Sequence, residues 1–509
     1  MGAKLDLPAV EYRVMYQLQT PPSDNDTVPK STDMNSKLLS ATPQPSKTLT
    51  SLPLELIDEV LSYLSPIDLA RVSRTTRLLR SRADADIIWS RIVNANLPSP
   101  LRNPAPSPTF KDLYVSHHPL WFLVRNKIWF SDVTNTGKLI LARYNEKLGR
   151  IEAYRLVTSH TVRHLLVWEH DPSVRVMTFE PEVALWLDDP VVLVDKFVPT
   201  ERYPALDWHG KEIQMPMALE AQRVFSRLIL CKKMPELDQN HPSRDIWPPR
   251  TIPTDERVDT TYTKFQSFQN LDNKPRRLGE ICQSAFRVRR WIQFGGRLAS
   301  FNVGTVMDGI STYSTLQPGL YTPTAAKPYQ GIWVGDYSVH GSEFLLVIQR
   351  ESIEEWQTAD EEVDAQHESA STNGNSINEH SGEDLPRGMM LEAIKLTGDP
   401  NVPRGEISFA SDDIGPRGFL RVADEELFKG ARVVRSRGQV AATNFRDRKS
   451  RYLVSTHLTV IPNLSFSAAF FIPTELFLIS HNCIAHYWKQ LGHISYYRRV
   501  DIDQLLQGN

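Results

Sequence analysis

Cysteine is nearly missing from this chain. Its 509 residues hold three, Cys231, Cys282 and Cys483, far apart and in no CxxC pair. That excludes a disulfide framework and a zinc ribbon and points to a reduced compartment. Glycine is scarce too, 24 against 35 prolines, so connections lean toward stiff rather than flexible linkers. No charge sign dominates: Lys plus Arg is 58, Asp plus Glu is 60, and the net charge is −2. A strongly basic nucleic-acid coat and a wholly acidic disordered chain are both excluded. The most apolar window, Leu464 to Ile479, is broken by Pro473 and Glu475 and is too short to span a bilayer. Met1 to Asp6 shows no apolar signal core, and Asp6 stands where a myristoylation signal needs Ser or Thr. The expectation is a cytoplasmic and/or nuclear protein with neither membrane nor nucleic acid as partner.

What remains is a globular composition: 41% hydrophobic, 9% aromatic and 23% charged. The length of 509 residues fits about three domains of roughly 150 residues each. Residues 1–50, above all Gln19 to Thr50, are rich in Pro, Ser, Thr and Asn and read as a largely disordered arm. Residues 51–95 carry a helical apolar period, and the Pro-rich 96–109 reads as a short stiff linker. From 110 to 509 the period changes to two. Lys127 to Phe130, Lys138 to Tyr144, Ile151 to Val157, Leu165 to Trp168, Val174 to Phe179, Val191 to Val194, Gly331 to Tyr337, Phe344 to Gln349 and Met389 to Leu396 read as strands. Met217 to Leu230 and Thr474 to Gln490 read as helices, the second on the spacing of Leu476, Ile479, Cys483 and Tyr487. Residues 357–387 are acidic, lack any period and read as a disordered insert. The expected fold class is α+β: a small three-helix unit, then a sheet-rich, barrel-like domain with a few helices.

The strongest signal lies in Leu52-Pro53-Leu54-Glu55-Leu56-Ile57-Asp58-Glu59-Val60-Leu61-Ser62-Tyr63-Leu64. Leu56, Ile57, Val60, Leu61 and Leu64 fall on one helical face. Ser65 then caps a second helix with Pro66 at its first position and Asp68 in its first turn. Ile67, Leu69 and Val72 continue the apolar surface, Arg74, Arg77 and Arg80 face solvent, and Trp89 closes the unit. So short a segment cannot bury so many large apolar groups alone, so a partner should cover some of them. The Leu-Pro, Leu-Ile, Val-Leu, Tyr-Leu, Asp-Leu and Val-Ser-Arg spacing with the trailing Trp resembles an F-box. The resemblance implies docking to the Skp-type adaptor of a cullin-RING ubiquitin ligase through Leu52, Pro53, Leu56, Ile57, Val60, Leu61, Leu64, Leu69, Val72 and Trp89.

Two further stretches, Gly331 to Glu343 and Leu391 to Pro403, resemble the Gly-x-Tyr-x-x-His-Gly-x-Glu and Thr-Gly-Asp-Pro-Asn-x-Pro runs of receptors related to F-box only protein 31. In that family the barrel-like domain holds substrate tails, including C-terminal segments. The resemblance implies a substrate site with Tyr337, His340, Glu343, Thr397, Asp399 and Asn401, the two stretches meeting at one mouth of the barrel. The same residues also suit a bulged hairpin packed in the barrel wall. The acidic insert separates the two motifs, and Lys449 to Phe470 reads as an extra apolar segment between Arg446 and Phe471.

Other chemistries find less footing. Cys483 and His486 fall about a turn apart if helical, but the segment is an ordinary amphipathic pattern, so neither metal nor other cofactor is expected. His160 and His164 lack the Glu of a zinc-protease motif. No GxGxxG, P-loop or GxSxG is present. The basic runs Arg432 to Arg451 and Arg287, Arg289, Arg290 beside Trp291 suit a solvated face balancing the acidic insert better than a nucleic-acid or acidic-degron patch. Two function classes fit: a non-catalytic substrate receptor that binds adaptor, cullin and a protein target, or a ligand-binding or catalytic barrel whose F-box serves only turnover or localisation.

Overall fold

Side-chain caps set the helical N-terminal region. Ser65 accepts the Asp68 N–H at 3.2 Å while its hydroxyl donates to the Asp68 carboxylate at 2.7 Å, opening α2 (Pro66–Val72). Thr76 does the same for the N–H of Leu79 and opens α3 (Arg77–Ala83). With α1 (Leu54–Ser62) and α4 (Asp86–Asn94), four short helices stand where three were expected, because the polar run Ser73 to Thr76 breaks the second. The computed structural model describes residues 48–133, 136–160, 165–178, 180–195, 212–217, 224–235, 245–260, 274–292, 309–336, 341–351, 388–399, 401–441 and 470–507. The arm before residue 48, the acidic insert and the segment read over Lys449 to Phe470, up to residue 469, therefore lie outside the described residues. Two compact units divide the chain, Met1–Leu54 and Glu55–Asn509. In the first, a 3-10 turn covers Leu49–Ser51, and Leu52 and Leu54 are exposed.

The Pro-rich stretch is packed rather than a free linker. The Asn94 side chain accepts the Leu101 N–H at 2.8 Å and donates to its carbonyl at 3.3 Å, and Leu101 and Ser107 are buried. Two helices follow, α5 (Phe110–His117), capped by Thr109, and α6 (Trp121–Asn126). The Asp86 carboxylate accepts the Phe110 N–H at 3.0 Å, and Trp89 packs on Tyr114 with ring centroids 5.4 Å apart.

Strands then dominate. The first sheet has eight antiparallel strands, β1 (Ile128–Ser131), β2 (Leu139–Asn145), β3 (Arg150–His160), β6 (Pro181–Val194), β7 (Ile213–Gln214), β8 (Val224–Lys232), β11 (Ile281–Ile292) and β12 (Gly309–Thr315), in the order β6-β3-β2-β1-β12-β11-β8-β7. One face, with Trp129, Ile140, Ala153, Phe286 and Tyr313, shares a core with Ile57, Leu61, Trp89 and α5–α6. The other, with Ile128, Phe130, Leu139 and Leu141, shares a core with the second sheet. Burial on both faces explains why β1 reads as a solid apolar run. A small ribbon pairs β9 (Ile246–Trp247) with β10 (Val258–Asp259).

The second sheet comprises β4 (Leu165–Val167), β5 (Arg175–Met177), β13 (Gly331–Asp336), β14 (Ser342–Glu351), β15 (Met389–Lys395), β16 (Ile407–Ser411), β17 (Phe419–Val422), β18 (Arg432–Val440), β19 (Phe470–Ser480), β20 (Cys483–Trp488) and β21 (His493–Arg499). Eight of them, β13-β14-β15-β16-β18-β19-β20-β21, close into a barrel, because β21 pairs back on β13 at Trp333↔Arg499 and Gly335↔Tyr497. Eight strands enclose a space that side chains fill. Trp333, Leu345, Val347, Leu391, Ala393, Phe409, Val434, Leu476, Ile484 and Tyr497 fill it. A last helix, α8 (Ile502–Gln507), follows.

Both internal helix expectations fail. Leu230 lies in β8, and Thr474 to Trp488 forms β19 and β20 joined by a tight turn. Leu476 points into the barrel and Phe477 to its outer core, so both parities are apolar and the period of two is hidden.

Candidate functional site

Two regions carry the expected site residues. On the helices the single apolar face divides in two. Ile57, Leu61, Leu69 and Trp89 are buried and Leu64 and Val72 half-buried, so these belong to the chain's own core rather than to an open docking face. Leu56, Val60, Tyr63 and Ile67 are instead between 43 and 80% exposed. Pro53 is exposed as well. Tyr63, part of the Tyr-Leu spacing, and Ile67, part of the apolar surface read from the sequence, were not among the expected adaptor contacts; the mark they leave is large apolar groups off the core stripe of the first two helices. Asp58 pairs with Arg82, tying α1 to α3 beneath that surface.

In the barrel, the two motif stretches do meet. Register sets Gly335 opposite both Glu343 and Tyr497, and Leu345 opposite Lys395. A Cβ on Gly335 would run into the Tyr497 ring, so only glycine admits that ring. Gly438 stands in the same relation to Trp488. Lys395, wholly buried, donates to the Glu343 carboxylate at 2.8 Å and also pairs with Asp399. Thr397 Oγ1 accepts the Phe344 N–H at 2.8 Å, and the Asp399 carboxylate accepts the N–H groups of Asn401 at 2.5 Å and Val402 at 2.9 Å. Thr397 and Asn401 thus hold the turn. Tyr337 and His340 lie outside the described residues. Lys395 was missed by sequence reasoning, though a lysine in register with Leu391 and Ala393 on an inward face is a legible signal.

One ammonium serves two carboxylates, and burial decides how they share it. Burial pushes the Glu343 carboxyl up to about 8; Lys395 opposes this and the Asp399 charge adds to it. Burial also works to raise Asp399, but Lys395 and the hydrogen bonds it receives hold it below the ordinary range. Glu343 therefore keeps its proton and Asp399 its charge. The second oxygen of Glu343 has no hydrogen-bond partner among the described residues.

A second polar chain runs along β18–β20. Ser436 and Thr474 share a hydrogen bond of 2.7 Å, and Thr474 meets His486 Nε2 at 2.8 Å. His486 contacts Phe409 and Trp488, each with centroids 4.5 Å away. Burial, with His493 nearby, pushes the His486 imidazole down to about 3, so it is neutral. Cys483 and His486 fall on opposite sides of β20, one against the outer core and one inside, so the pairing that a helix would have made is lost. His170, Asp424 and Glu425 gather their ligand atoms within 4.8 Å, but the Arg421 guanidinium already occupies Glu425 at 3.1 Å and closer. In the basic runs, Arg437 pairs with Asp412 at 3.1 Å, Arg287 is buried, and Arg290 pairs with Asp189 at 3.1 Å. Strand alternation thus scatters them over different faces.

Comparison with known proteins adds two matches and one blank. No curated protein matches the chain. The resemblance to receptors related to F-box only protein 31 accordingly rests on the two short motifs alone. Residues 313–504, from β12 through every strand of the closed barrel, match a cyclin D1 binding domain, and residues 49–95, the capped helices with their exposed apolar groups, match an F-box-like domain.

Proposed function

We propose that this chain is the non-catalytic substrate receptor of an SCF-type cullin-RING ubiquitin ligase, of the kind that resembles F-box only protein 31. The observation that carries it is the exposed apolar surface of Leu56, Val60, Tyr63 and Ile67, set on helices whose other side is already packed, within a region matching an F-box-like domain. Contiguous exposed apolar groups of this size mark a protein interface. The Skp-type adaptor covers them and links the chain to the cullin. The barrel end around Glu343, Lys395 and Asp399 then takes a protein target, as a match to a cyclin D1 binding domain supports. The resemblance to receptors related to F-box only protein 31 implies that the target enters by a tail, a C-terminal one first. Held there, its lysines gain effective concentration at the ubiquitin-loaded enzyme, and ubiquitination and degradation follow. The chain works in cytoplasm, nucleus or both.

The deep polar set keeps a second reading alive, a ligand-binding or catalytic barrel in which Thr474 and His486 act as a pair. One experiment separates the two. The tagged chain is captured from cells, adaptor and cullin are scored in the eluate, and ubiquitylation of cyclin D1 is measured beside it. The receptor reading expects adaptor, cullin and ubiquitylated target. Adaptor without cullin or any ubiquitylated protein would favour the second.

A further inference from the structure

Away from the barrel, one end of the first sheet brings Lys138, Arg155 and Arg290 near Asp189. Lys138 stands just ahead of β2, on the face that carries Ile140, and Ile140 lies opposite Arg155 of β3. Arg290 of β11 reaches across the curled sheet to β6, donating to the Asp189 carboxylate at 3.1 Å and to the Pro190 carbonyl. Arg155 lies over the exposed ring of Trp186, 5.8 Å from its centroid. Tyr313 lies beside them, feels Arg290, Asp132, Asp189 and Arg155, and stacks on Phe286; Asp132 itself accepts the Thr312 N–H at 2.7 Å.

The charges do not balance. Among the described residues three cations, Lys138, Arg155 and Arg290, face the Asp189 carboxylate, a surplus of two, and that carboxylate is engaged by Arg290. Among the described residues neither Lys138 nor Arg155 has a hydrogen-bond or ion-pair partner. Burial first, then Arg290 and Arg155, holds the Lys138 ammonium below its ordinary range, and Asp189 offsets only part of this. The guanidiniums cannot shed their protons, so a bound anion is the direct relief. A phosphate monoester carries about −1.5 to −2 at neutral pH, which matches the surplus, and its oxygens suit guanidinium forks beside an ammonium.

We propose that Lys138, Arg155 and Arg290 form a binding site for a phosphate group, separate from the barrel. Its source is either a phosphorylated side chain of a partner protein or a free phosphate, and the test distinguishes them. The full chain is titrated with inorganic phosphate, with a phosphoserine peptide and with the same peptide unphosphorylated, following affinity and thermal stability. Lys138→Met and Arg155→Gln are titrated alongside. Lys138→Met relieves a crowded ammonium, so its stability without phosphate should match or exceed that of the unaltered chain. Saturable stabilisation by inorganic phosphate, weakened about tenfold or more in each variant, assigns the site to a free anion. Binding of the phosphopeptide alone, weakened in the same way, assigns it to a partner. Absence of binding by either probe, or equal binding by the unaltered chain and a folded Lys138→Met, overturns the proposal.

Discussion

Burial and the neighbouring Asp399 make Glu343 hold its proton against the pull of Lys395, and the consequence is a stability that depends on pH. Its carboxyl sits at about 8 in the folded chain against an ordinary 4.5, so the folded state binds that proton more tightly than the unfolded one. The stabilisation is full below 4.5 and is lost as pH rises through about 8. His486 works the other way: at about 3 against 6.5, it costs stability as pH falls below 6.5. Of these two groups, only Glu343 contributes a slope above pH 6.5. The Glu343 contribution should fall by about 2 kcal/mol between pH 6.5 and 8, and Glu343→Gln, which cannot titrate, should flatten that fall. Thermal melts of both chains across that range check it; an equal fall in both would show that Glu343 does not titrate there. The site residues were partly legible. Glu343 and Asp399 were read as site residues, but Lys395, which binds them, lay in the same Leu391 to Pro403 stretch without a role and showed only as a charge at an inward strand position.

Elements were legible where a cap or a turn marked their ends. Ser65, Thr76 and Thr109 are such marks, and β1, β2 and β3 showed through their turns at Gly137 and Gly149, both with positive φ. The helix read over Thr474 to Gln490 was not legible, because a strand buried on both faces carries no alternation. The same blindness to tertiary burial merged two helical faces into one. Ile57 and Leu61 point into the core and Leu56 and Val60 to solvent, so substitutions should sort by burial. Ile57→Ala should cost about 2–5 kcal/mol of stability. Leu56→Asp with Val60→Asp should leave the melting temperature nearly unchanged and abolish adaptor capture, since anchors at interface centres cost upwards of 2 kcal/mol each. Adaptor coprecipitating at unaltered levels with that double variant would remove the F-box reading. A further element-level outcome concerns the acidic insert. Strands β14 and β15 pair as far as Glu351↔Met389, so a short turn can replace what lies between. Deleting residues 358–386 should leave the melt nearly unchanged, because loop closure costs little and shortens favourably.

At the scale of the molecule, the boundary of a matched domain is not the boundary of a folding unit. The match to a cyclin D1 binding domain begins at residue 313, yet the barrel it covers has an apolar outside. Ile332, Val334, Phe344 and Leu346 are buried in a core shared with Phe130, Leu139 and Leu141 of the first sheet. That sheet in turn packs its other face on the helices that hold Ile57 and Trp89. Two cores meet through one sheet, so Glu55–Asn509 forms a single compact unit. A fragment restricted to residues 313–504 keeps all eight barrel strands and loses β1 to β3 with the helices beneath them. Each large apolar side chain uncovered forfeits about 1.5–3 kcal/mol. Four of them already approach the 5–15 kcal/mol that typically separates a native chain from its unfolded state. The fragment should therefore be recovered aggregated or with fluctuating packing, binding a hydrophobic dye and showing no cooperative melt, whereas the chain from residue 48 onward should melt in one transition. A soluble 313–504 fragment with a sharp melt would show that the barrel stands alone and that the first sheet is a separable layer.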